Sequence, residues 1–159
     1  MVSIVPVASW LAALVLAALV VARRPRPLHA VAVVDVLLRW ILVFPVGLMG
    51  LWGALGHIAF PAEAAASIGW APSPFQYEVG VANLGIGLAG LYAAFRGFEA
   101  RLATALMVAA FLGGAALGHV RDIVTAGNLA PGNAGPILVT DIATPLALLL
   151  LLALARRRA

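Results

Sequence analysis

The sequence has no cysteine and no lysine. Without cysteine there can be no disulfide framework, no thiolate metal site and no thiol redox chemistry, so any metal ligands must be His, Asp or Glu. Charge is scarce as well: charged residues are 10% of 159 positions, six acids against ten bases, and every base is an arginine. A water-soluble domain of this length cannot cover its core with so little polar surface. There is no glycine-rich phosphate loop, no His-Glu-x-x-His and no nucleophile elbow, and Asn133-Ala134-Gly135 is not a glycosylation acceptor. A pI near 11.1 raises the question of nucleic acid. The arginines, however, sit at the ends of apolar runs and do not form a stripe interleaved with aromatics, which excludes that partner class.

What remains is apolar: 64% of the residues are hydrophobic, and the mean hydropathy is +1.09. The expected fold class is all-α, a polytopic transmembrane helix bundle of about five spans embedded in a lipid bilayer as one integral membrane domain. The first run, Ile4 to Ala22, has no positive charge before it and no clear cleavage site after it, so it reads as a retained helix ending at Arg23-Arg24-Pro25-Arg26-Pro27. A second span covers about Asp35 to Phe60, long enough to tilt, with Pro45 as a kink site. The stretch Pro61 to Gln76 is an outer loop in which Ala62 to Ile68 could form a short interfacial helix, with Trp70 at headgroup level. A third span runs from Tyr77 to Phe95, a turn covers Arg96 to Glu99, and a fourth span runs from Ala100 to Val120. Arg121 to Pro136 forms the second outer loop, and a fifth span covers Ile137 to Ala155. The first span stands apart from a four-helix core over 35–155.

Arginine placement sets the orientation. Arg23, Arg24, Arg26, Arg39, Arg96, Arg101, Arg156, Arg157 and Arg158 fall on one side and Arg121 alone on the other. By the positive-inside rule the N-terminus is outside and the C-terminus cytoplasmic. Arg39, inside the second span, can pair with Asp35 four residues earlier while both reach the headgroups.

The core carries an internal echo. Ala54-Leu55-Gly56-His57 ends the second span and Ala116-Leu117-Gly118-His119 the fourth; each is followed by an Ala-Pro pair and then by an acid, Glu78 or Asp141, at the next span's entrance. The last four helices therefore read as two parallel-repeat pairs. His57, His119, Glu78 and Asp141 would then share the outer end of the bundle. They are a chemically sufficient ligand set for zinc, iron or manganese, and equally sufficient for a proton relay. The competing reading is structural, because acids in first turns complement the helix dipole and histidines near an interface can cap helices. Gly47, Gly50, Ala54 and His57 form a 3,4,3 stripe for close helix approach, as do Gly80, Asn83, Gly87 and Gly90. Asn83 is the deeper polar group of the pocket, read as an interhelical hydrogen bonder. Glu63 and Asp122 read as loop residues, and Trp52 and Tyr92 as core or lipid-facing packing.

The stretches Phe44 to Gly53, Gly69 to Gly85 and Ala130 to Pro136 resemble a family of small bacterial inner-membrane proteins of unknown function. The more specific motif is the Ser-Pro-Phe-Gln-x-Glu-x-Gly-x-Ala-Asn-Leu-Gly run from Ser73 to Gly85. The four-helix layout is also similar to that of DoxX-like proteins, some of which are associated with quinone-linked respiratory oxidation. The resemblance implies a location and a helix count; no catalytic residue and no cofactor comes with it. The leading expectation is a non-enzymatic inner-membrane protein whose outward-facing pocket binds a metal ion, a proton or a small ligand, alone, as a homo-oligomer or within a larger membrane complex. A small homodimeric transporter and a quinone-linked accessory subunit of a respiratory redox complex are the alternatives.

Overall fold

The structure, a computed structural model, describes residues 4–156, so Arg157 and Arg158 lie outside the described residues. All regular structure within that range is helical. Helix α1 spans Ile4–Ala22; α2 spans Ala30–Ile41 and continues through a π-helical stretch, Leu42–Leu48, into α3, Met49–Ala59. Pro45 explains the wide turns: it has no N–H to donate and its ring crowds the preceding turn, and an i→i+5 ladder makes room for it. The expected kink site is thus a π-helical segment inside one long helix.

Helix α4, Pro61–Ile68, is the short helix expected after the second span; proline occupies its first turn and Gly69, at φ 82°, ends it in the left-handed conformation. Helix α5 spans Phe75–Ala93, α6 Phe98–Ala126, α7 Pro131–Ala134 and α8 Pro136–Arg156. Helix α6 runs well past Val120, so Arg121 and Asp122 are helical, not loop residues, and the chain first breaks at Gly127, φ 63°. Glu63 likewise lies in the first turn of α4. Four stretches are long and apolar enough to cross a membrane: Ile4–Ala22, Ala30–Ala59, Phe98–Ala126 and Pro131–Arg156. Helix α5, the expected third span, is not among them, because Gln76, Glu78, Asn83 and its glycines dilute its hydropathy.

Glycine is what α5 contributes. A methyl group built on Gly50 would lie 2.7 Å from Gly87 Cα, and one on Gly87 would lie 2.9 Å from both Gly47 O and Leu51 N. One on Gly90 would meet Val46 Cγ1 at 2.6 Å. The two 3,4,3 stripes therefore mesh backbone to backbone, the close approach that small residues permit between helices in lipid.

Leu38, Leu42, Val46, Ile86, Val108 and Leu148, from α2, the π-helical stretch, α5, α6 and α8, meet in one apolar core. The outer faces are no less apolar: Leu11, Leu88, Leu106, Leu117, Leu146 and Leu150 are all exposed. In water such a surface would drive aggregation, whereas against lipid tails it costs nothing. Toward the arginine-rich end, Asp35 accepts from Arg101 Nη1 at 2.7 Å and pairs with Arg39 Nη2 at 3.5 Å. Arg101 is buried and also donates to the carbonyls of Ala93 and Ala94, so it clamps the end of α5 to α2 and α6.

Candidate ligand cavity

Above the core, toward the end of the bundle where α3 stops and α8 starts, the helices diverge around a cavity of about 530 Å³. Val46, Ile86 and Val108 belong both to the core and to the cavity wall, so the core is its floor. Trp10, Met49, Phe111 and Leu112 form much of the apolar wall, and Ala64, Ser67 and Ile68 of α4 lie across its end. Helix α1, expected to stand apart, supplies Pro6, Ser9 and Trp10, and Trp10 Nε1–H donates to Thr144 Oγ1 of α8 at 3.2 Å.

The polar groups gather at one end. His57, His119, Asp141 and Asn83 all line the cavity; Glu78 does not, and its side chain is exposed on α5. The expectation placed Glu78 by its sequence distance from His57, which fixes its height along the bundle. Its face is set by the 3.6-residue period, and Glu78 lies off the Gly80–Asn83–Gly87 stripe. Asn83 is half-buried and bonds within its own helix, Nδ2–H to Val79 O at 2.9 Å, not across helices. Among the described residues no group of three or more His, Asp and Glu side chains is placed to hold a metal ion. The four expected ligands are therefore not gathered as a set.

The histidines take carboxamide partners. His57 Nδ1–H donates to Gln76 Oε1 at 2.6 Å, and His119 Nδ1–H to Asn133 Oδ1 at 2.7 Å. The second pair is held by a chain of bonds. Asn133, fully buried, donates its Nδ2–H to Asn128 O at 2.8 Å, which fixes its Oδ1 as acceptor and His119 Nδ1 as donor. A neutral His119 ring thus presents Nε2 as an acceptor toward Asp141, whose Oδ2 lies 3.8 Å away. Trp70 stacks on His119 with ring centroids 6.0 Å apart, and its Nε1–H donates to Asp122 Oδ2 at 2.9 Å. Asn128 ties this corner down, donating to both Asp122 and the Ile68 carbonyl.

Gln76, Trp10 and Trp70 line the cavity and Asn133 holds His119 from behind its wall, and none of the four stood out in the sequence as a pocket residue. Gln76 and Asn133 fall 19 and 14 positions after their histidines, so a search for equal spacing passes over them. Their signal was membership of the Ser73–Gly85 and Ala130–Pro136 runs. Trp52, half-exposed, edges the cavity, whereas Tyr92 is exposed beneath Arg96 and takes no part.

A family profile matches residues 3–159, nearly the whole chain, and its description is a family of unknown function, DUF6790. The chain belongs to DUF6790. No curated protein and no solved structure matches it. Membership of DUF6790 brings neither an activity nor a link to DoxX-like proteins, so the chemistry of the cavity has to be argued from its residues.

Proposed function

We propose that this DUF6790 member is a non-enzymatic, five-span protein of a bacterial inner membrane that binds a small, mostly apolar ligand in the cavity between its helices. The observation that carries this reading is the cavity itself: its volume lies in the range of small-molecule sites, its walls are apolar, and a few polar groups converge at one end. His57, His119 and Asp141 read the ligand's polar head, while Trp10, Phe111 and Leu112 hold its body. Gly56 provides a clean test, because it lines the cavity and a Cβ built on it meets nothing within 4 Å. A phenylalanine there fills the ligand's space without displacing a helix. In nanodiscs, titration with 4-phenylbutan-1-ol should give a saturable change in tryptophan fluorescence that weakens at least tenfold in Gly56→Phe. A linear, identical response in both proteins, as from simple partition into lipid, would refute the reading.

The arginine bias supports an outside N-terminus, with the cavity opening outward and α5 as the crossing that completes five spans. The matched His–carboxamide pairs support two parallel-repeat helix pairs after α1. Because the chain has no cysteine, single cysteines report topology directly. In intact cells an impermeant maleimide should label Ser73→Cys and Thr125→Cys but leave Gly97→Cys unlabelled until the membrane is opened. Labelling of Ser73→Cys and Gly97→Cys in intact cells, with Thr125→Cys then protected, would mean that α5 does not cross.

A further inference from the structure

The polar end of the cavity is lopsided in charge and in hydrogen-bonding character. Asp141 is buried at 6% exposure, and its one ion-pair contact among the described residues, His119 Nε2, lies 3.8 Å away, beyond hydrogen-bonding reach. Since the His119 Nδ1–H is engaged by Asn133, the ring in its neutral form turns an acceptor, Nε2, toward the Asp141 carboxylate. Two acceptors that face each other across such a gap are both satisfied by one group that donates twice. His57, its Nδ1–H likewise engaged, adds a third acceptor to the lining. Glu63 stands exposed at the mouth, and no arginine lines the cavity among the described residues. Trp10, Phe60, Trp70 and Phe111 supply aromatic surface, whose faces favour a cation.

We propose that the ligand is a lipophilic organic cation, a protonated primary amine on an apolar body, whose ammonium N–H groups donate to His119 Nε2 and Asp141 Oδ2. This rests on the cavity reading above and names its ligand class. An anion would face Asp141 with no arginine to offset it. A neutral alcohol has one proton to donate where two acceptors wait, and it has no charge for the carboxylate to attract.

Three probes share one body and differ in the head: 4-phenylbutylamine, 4-phenylbutan-1-ol and 4-phenylbutanoate, titrated at pH 7 into protein in phosphatidylcholine nanodiscs, a zwitterionic bilayer with no net charge to bias the comparison. The amine is expected to bind at least tenfold tighter than the alcohol, and the carboxylate weakest. Asp141→Asn should weaken the amine at least tenfold and the alcohol much less, so that the amine's preference over the alcohol disappears. If the alcohol or the carboxylate binds as tightly as the amine, and both are lost in Gly56→Phe, the cation assignment fails and the cavity reading stands. If none of the three binds saturably, both fail. Retention of the amine preference in Asp141→Asn would also overturn the assignment, and if that variant does not fold, the ranking in the unsubstituted protein decides alone.

Discussion

Replacing Gly87 by leucine should separate α5 from α3 and leave little folded protein. The first added carbon already lies 2.9 Å from Gly47 O and Leu51 N and 3.1 Å from the Gly50 carbonyl carbon, all backbone atoms that cannot rotate away. Inserting extra methylenes into a packed core costs about 1–3 kcal/mol when side chains can give way. Here only whole helices can move, so the loss should reach or exceed the top of that range. The damage would not stop at the interface, because the π-helical stretch that faces α5 also supplies Leu42 and Val46 to the core. Gly85→Leu is the control on the same helix: a Cβ there meets nothing within 4 Å, and the change should stay within about 0.5 kcal/mol. Thermal unfolding in detergent, followed by circular dichroism, separates the two. Equal melting temperatures would mean that the glycine stripe is not where the helices hold each other.

That stripe was legible because it is a periodic property of the chain. Glycines at 3,4,3 spacing must share a face, and two such stripes on neighbouring helices have few places to go but against each other. Pro45 and the Pro61–Ile68 helix were legible for a related reason, since proline and glycine act on the backbone locally. The end of α6 was not. Arg121 and Asp122 look like the start of a loop when polarity is the guide, yet hydrogen bonding carries the helix on to the left-handed Gly127. Of the expected site, His57, His119, Asp141 and Asn83 do line one cavity, while Glu78 is replaced there by Gln76 two positions earlier. Uncharged carboxamides leave little trace in a search for ionisable groups, although Gln76 and Asn133 set the orientation of both imidazoles. Trp10 was hidden for a different reason: an apolar first span gives no sign of which helix it will pack against.

Arg101→Met should cost about 2–3 kcal/mol, far more than a surface arginine is worth. Counting arginines by side treats Arg101 like Arg96, but the fold does not. Its guanidinium reaches Asp35 Oδ1 at 2.7 Å, Ala94 O at 3.1 Å and Ala93 O at 3.4 Å, joining α2, α6 and the end of α5. Ala93 O also accepts from the Arg96 N–H at 3.1 Å, so removing the guanidinium strands Ala94 O, in a fully buried residue at the end of α5. The ion pair adds less than a fully buried one would, because the Asp35 side chain is 39% exposed and keeps water and Arg39 as partners. Two further variants divide the loss. Arg101→Lys keeps a charge near Asp35 but cannot fork to both carbonyls, so it should fall between wild type and Arg101→Met. Asp35→Asn leaves the carbonyl bonds in place and should cost less than Arg101→Met. In the double variant the two losses should not add, since both act on one bond network. If Arg101→Met melts with the wild type, the arginine serves orientation alone, and the joint between α2, α5 and α6 rests on its apolar contacts.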